Sequence, residues 1–217
     1  MEFLNSQLNE NVRLVAVSKT KPDEMVLEAY EAGQRIFGEN KVQDLVDRES
    51  RLPSDIKWHF IGHLQRNKVK YLAPFINTIQ AVDSLRLLKE IEKQARANQR
   101  VINCFLQFHI ALEESKFGLN IDGAKQILLS EEYKSMEHIK IGGVMGMATF
   151  TDDMDKVRGE FKTLKEYFNV IKNEFFKDDD NFCEISMGMS GDYKIAMEEG
   201  STLIRVGTAI FGEREKH

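Results

Sequence analysis

Lys19 stands two residues beyond the apolar run Val12–Val17, which only Arg13 interrupts, and three before Pro22, in the segment AVSKTKP (Ala16–Pro22). A short β-branched run of this kind reads as a buried parallel strand, and Pro22 suits the first turn of a following helix. A lysine at the carboxyl end of a parallel strand points into the region where α/β folds hold ligands. An amine partly desolvated there loses its proton more readily and can form a Schiff base with a carbonyl compound. The competing reading is a solvated lysine at a strand end.

The C-terminal quarter offers a second kind of chemistry. SMGMSGD (Ser186–Asp192) follows one strand-like run, and Arg205-Val206-Gly207-Thr208 ends another. Glycine lets a backbone approach a ligand closely, and hydroxyls add donors. Loops after strands seven and eight of α/β barrels often bind phosphate. Ser190, Gly191, Gly207 and Thr208 are therefore candidate phosphate contacts, although Gly and Ser also punctuate ordinary turns. Arg205 lies on the last strand, two residues before its glycine turn. Its guanidinium stays protonated, so against a pyridine nitrogen it donates a hydrogen bond and keeps that nitrogen unprotonated. A structural ion pair with a nearby carboxylate is the alternative.

The elements that must position these residues follow from periodicity. Strands are expected at Val12–Val17, Ile36–Gly38, Lys57–Ile61, Thr78–Ala81, Val101–His109, Ile139–Met145, Phe182–Ile185 and Leu203–Val206. Helices are expected at Asp23–Gly33, Lys41–Arg51, Gln65–Leu72, Ser84–Asn98, Ile121–Ser130, Asp155–Phe176 and Asp192–Glu199. The clearest is Asp155–Phe176, whose apolar residues Val157, Phe161, Leu164, Phe168, Ile171 and Phe175 step by threes and fours. This alternation is that of a single (β/α)8 barrel of the TIM type spanning residues 1–217. A doubly wound sheet alternates similarly, but no G-x-G-x-x-G follows the first strand.

Composition narrows the function classes. The chain has 217 residues, 42% hydrophobic and 30% charged, as in an ordered globular protein. A net charge of −5 gives no basic footprint for nucleic acid. No apolar run approaches the ~20 residues of a membrane span, and the N-terminus lacks a secretory pattern. Cys104 and Cys183 both lie in strand-like runs and are expected to be buried, reduced thiols. A cytoplasmic location is expected.

Seven segments together carry a family resemblance. They are AVSKTKP (Ala16–Pro22), FGENKVQ (Phe37–Gln43), WHFIGHLQRNK (Trp58–Lys68), SKFGL (Ser115–Leu119), GGVMGM (Gly142–Met147), SMGMSGDY (Ser186–Tyr193) and GSTLIRVGTAIFGER (Gly200–Arg214). In these segments the chain resembles the pyridoxal 5′-phosphate (PLP) homeostasis proteins, from Val12 to Arg214. The resemblance implies a barrel like the N-terminal domain of alanine racemase, the fold-type III PLP architecture. It implies that Lys19 holds PLP covalently as a Schiff base and that Arg205 faces the pyridine nitrogen. Ser190, Gly207 and Thr208 match phosphate contacts, with Gly191 beside them, and Asn40 lies near the cofactor ring. His63, Asn67 and Lys68 fall in a signature segment; the strand-end position brings His63 toward the pocket, unless its ring only satisfies loop backbone. Met145, Met147, Met187 and Met189 are expected to wall the pocket. The segment Met1–Asn11 is shorter than the N-terminal helical segment usual in the family.

The implied function is a non-catalytic PLP carrier or regulator, acting in vitamin B6 homeostasis and amino-acid balance. PLP-dependent apoenzymes are its expected recipients, and a monomer is its expected state. The alternative is a PLP-dependent amino-acid racemase. That reaction needs acid–base groups on two faces, and the second comes from a further C-terminal domain that is not expected in a chain ending at His217. A third class, a Schiff-base aldolase acting on a sugar phosphate, uses the same lysine and phosphate loops without PLP.

Overall fold

The computed structural model describes Leu8, residues 11–111 and residues 117–212. Eight parallel strands close into a barrel in chain order: β1 Arg13–Val17, β2 Ile36–Glu39, β3 Lys57–Phe60, β4 Thr78–Val82, β5 Ile102–Phe108, β6 Ile139–Gly146, β7 Glu184–Ser186 and β8 Leu203–Val206. β1 closes the ring against β8, with Val15 opposite Arg205 and Ala16 opposite Val206.

Helices alternate with the strands: α1 Asp23–Glu31, α2 Val42–Glu49, α3 Val69–Leu72, α4 Leu85–Ala97, α5 Ile121–Leu129, α6 Glu131–Lys134, α7 Met154–Phe175, α8 Tyr193–Glu198 and α9 Thr208–Phe211. The barrel expectation is met, with differences at the margins. The stretch expected as one helix over Gln65–Leu72 divides into a 3₁₀ turn, Arg66–Lys68, and the short α3. Two short helices, α6 and α9, were not expected, because four residues are too few to display a 3.6-residue period. The long α7 starts where the Asp153 side chain accepts the Lys156 N–H at 3.1 Å.

Strand parity separates two cores. Residues such as Ala16, Phe37, Trp58, Leu106 and Val144 face the helices and join the large outer core. Val15, Ala81, Phe105, Met145 and Leu203 fill the barrel interior. Gly38 lies opposite this filling. A Cβ there would sit 2.8 Å from Val15 Cγ1, so a larger residue would displace an interior side chain. On β8 the inward phase of Leu203 repeats at Arg205, which delivers the guanidinium to the upper barrel. On β7 the parity works the other way: Met187 follows Ile185 into the outer core. Met145 is likewise packed in the interior. Neither methionine walls a pocket as expected. Cys104 is buried, but Cys183 is exposed just before β7. Among the described residues no helix is long and apolar enough to cross a membrane.

Candidate functional site

A cavity of about 600 Å³ opens at the carboxyl ends of the strands. All seven residues singled out from the sequence line it: Lys19, Asn40, Ser190, Gly191, Arg205, Gly207 and Thr208. Lys21, His63, Met147 and Met189 line it as well. Asn67 and Lys68 do not: they sit in the 3₁₀ turn after β3, with the Lys68 ammonium 5.6 Å from the Tyr71 ring centre. Of the segment Ser115–Leu119, Ser115 and Lys116 lie outside the described residues, as does Arg214.

Lys19 is half-buried and follows the fully buried Ser18 at the end of β1. The turn that carries it is closed by the Lys21 N–H donating to the Ser18 carbonyl at 3.0 Å. Asn40 continues β2 directly, and Gly62 packs against it so closely that a Cβ would lie 2.4 Å from the Asn40 carbonyl oxygen. His63 stacks on Phe117, with ring centres 4.0 Å apart, and its Nδ1 lies 3.4 Å from Asp83. The His63 ring thus packs at the cavity wall.

Arg205 is buried and held from below by a chain of oriented hydrogen bonds. Its Nη1 donates to Ser186 Oγ at 2.7 Å and its Nη2 to the Gly146 carbonyl at 2.9 Å. Because an arginine only donates, the Ser186 hydroxyl must send its own proton onward, to Gln80 Oε1 at 2.6 Å. The Gln80 amide then donates to His59 Nδ1 at 2.8 Å. An accepting Nδ1 requires a neutral ring. Burial acts in the same direction and pushes the His59 imidazole down to about 3, aided by the Arg13 charge and opposed by a hydrogen bond to Asn77. Gln80 points inward beside Ala81 because the β4–β5 register shifts between Ile79 and Val82. Burial lowers Arg205 to about 10 against the pull of Asp192, so it remains a cation at neutral pH.

The β7–α8 loop is pinned by Asp192, whose carboxylate accepts the Met189 N–H at 2.5 Å. Gly207 sits where a Cβ would come within 2.9 Å of the Val17 carbonyl oxygen, so glycine lets the last turn close onto β1. At Gly191 the situation differs. Its φ is not in the left-handed region, and a Cβ would meet nothing within 4 Å, although the residue lines the cavity. The fold itself places no demand for glycine there. On the facing wall, Glu160 grips Thr149 through the backbone N–H at 2.6 Å and the hydroxyl at 2.7 Å.

Ser186, Gln80 and His59, which back Arg205, are not among the residues that stand out in the sequence. Polar residues at inward positions of otherwise apolar strands were the available signal.

Residues 1–215 match the family model described as alanine racemase, N-terminal domain. A pyridoxal phosphate homeostasis protein of Aquifex aeolicus is 35% identical over 204 residues, covering 94% of this chain and 87% of that protein. The human pyridoxal phosphate homeostasis protein is 37% identical over 214 residues, covering 94% of this chain and 77% of its own length. PipY of Synechococcus elongatus, solved with PLP bound, superposes with a TM-score of 0.87 at 32% identity over 97% of each chain.

Proposed function

The chain belongs to the pyridoxal phosphate homeostasis family, and on that premise we propose that it binds PLP covalently at Lys19 and acts in PLP homeostasis without robust catalysis. The observation that carries this reading is the meeting, in one cavity, of a strand-end lysine, a buried arginine cation and two Gly/Ser-bearing loops. The PLP-bound form of PipY, a relative of the same fold, supports it.

PLP supplies an electrophilic aldehyde and an electron-poor ring. With PLP bound, Lys19 Nζ, as the neutral amine, would be the group that meets the aldehyde carbon, and the carbonyl oxygen would be released as one water. Arg205 would offer its remaining N–H groups to the ring nitrogen and hold it unprotonated. Asn40, on the cavity wall, would stand near the ring. Ser190, Gly191, Gly207 and Thr208 would hold the phosphate, and the open space over Gly191 would admit that group against the backbone.

An arginine opposite the ring nitrogen would weaken the ring as an electron sink, which limits the general carbanion chemistry the site would support. In this reading one barrel domain serves as a monomer, holds the reactive aldehyde, and supplies PLP-dependent apoenzymes, so that amino-acid balance depends on it. Racemisation of free amino acids that disappears in Lys19→Ala would instead establish an enzyme.

Adding PLP to the purified protein tests the site. A yellow absorption band that persists after desalting is expected. A protein that stays colourless leaves a phosphate-binding barrel of another function, such as an aldolase. Arg205→Leu removes a charge-assisted hydrogen bond and leaves the Gly146 carbonyl without its donor. PLP affinity is expected to fall by roughly 10- to 100-fold, with a shifted absorption maximum. An unchanged spectrum and affinity would remove Arg205 from the site.

A further inference from the structure

Behind the lysine-bearing turn lies a buried ion pair that cofactor contacts leave unexplained. Glu39, at the end of β2, is fully buried, and Arg48 of α2 is nearly so. Arg48 Nη1 donates to Glu39 Oε1 and to the Ser18 carbonyl, each at 3.1 Å, while Nη2 donates to the Lys21 carbonyl. The Ser18 hydroxyl donates to the same Glu39 oxygen at 2.7 Å. Arg48 Nε also faces Asp23 at 3.5 Å.

These contacts have one geometrical effect. Ser18 and Lys21 are the first and last residues of the turn whose middle residues are Lys19 and Thr20. Arg48 therefore holds both end carbonyls at once. The turn needs holding: Thr20 has φ +64°, a left-handed conformation that a β-branched residue seldom adopts and that glycine would accept without strain. Such backbone persists where the surroundings over-determine it. Glu39 in turn keeps the guanidinium in place at the cost of burying a carboxylate, one oxygen of which has no hydrogen-bond partner. A solvent-facing ion pair would serve stability without this burial.

We propose that Arg48 and Glu39 are positioning residues for Lys19: a buried brace that fixes the Ser18–Lys21 turn so that the lysine side chain enters the cavity. The inference rests on the proposed PLP linkage at Lys19 and deepens it. Neither brace residue lines the cavity, so the pair acts through the turn.

The test compares wild type with Arg48→Lys and with the double variant Glu39→Gln/Arg48→Met. The lysine variant retains the charge opposite Glu39 but cannot span both carbonyls. The double variant removes both charges together, so that no uncompensated ion is left buried. PLP bound at equilibrium is measured by dialysis, and the rate at which Lys19 becomes fixable by borohydride is followed by mass of the labelled peptide. Displacements near 1 Å can cost ~100-fold in such a step. The brace predicts cooperative melting, total PLP binding within about threefold of wild type, and labelling of Lys19 slowed at least about tenfold. If the double variant does not fold, Arg48→Lys decides alone. Wild-type labelling rates in a folded variant overturn the brace. Absence of label on wild-type Lys19 overturns the PLP reading and the brace with it.

Discussion

Lys19→Ala is expected to abolish covalent attachment of PLP while leaving a non-covalent complex. The amine and the remaining contacts belong to different elements: Lys19 follows β1, whereas Arg205, Gly207 and Thr208 follow from β8 and Ser190 and Gly191 from β7. Removing the amine leaves the guanidinium and the phosphate loops standing. The yellow band should disappear, and affinity should fall by roughly tenfold or more, since each ~1.4 kcal/mol of lost interaction is a factor of ten. Lys21 lines the same cavity, which makes it the residue to inspect if a borohydride-fixable adduct survives. Lys68 is outside the cavity, so a label there would contradict the whole site. Absorbance, together with mass analysis of the reduced protein, decides among these outcomes.

Acidification is expected to destabilise the barrel through His59. In the unfolded chain an imidazole takes up a proton near pH 6.5; in the folded protein burial delays this to about pH 3. Between those values the unfolded state binds more protons, so stability falls as pH falls. The contribution is complete above pH 6.5 and is lost progressively below it, at about 1.4 kcal/mol per pH unit, reaching on the order of 5 kcal/mol near pH 3. The protonated ring would also lose its role as acceptor for Gln80, opening the chain Gln80–Ser186–Arg205. His59→Gln offers Gln80 an acceptor that does not titrate. Denaturant melts from pH 7 to pH 4 should show wild type losing stability more steeply than this variant. Parallel curves would mean that His59 carries no linkage.

Much of this molecule is legible in the chain because fully buried parallel strands read as near-continuous apolar runs. Leu203–Val206 is β8 to the residue, and the strand-end positions of Lys19 and Arg205 follow from it and from β1. What the chain conceals is mainly parity and long-range hydrogen bonding. Met187 looks like a strand-end methionine near the site, yet it shares the outward phase of Ile185. A short run of apolar residues does not announce which face is inward when both faces are buried. The relay from His59 to Arg205 joins β3, β4, β7 and β8, and its inward Gln80 depends on a register shift that no local pattern encodes. Arg48 reads as one more polar residue on a surface helix, and only the fold brings it beneath the turn of Lys19. Cys183 sits in an apolar-looking run but precedes the strand and is exposed.

The central claim is the covalent seat of PLP. Borohydride reduction of the wild-type protein loaded with PLP, followed by peptide mapping, tests it most directly. A single pyridoxyl label on the peptide containing Lys19, at Lys19 itself, is the predicted result. Label at Lys21 or elsewhere, or bound PLP that reduction never fixes to the chain, would contradict it.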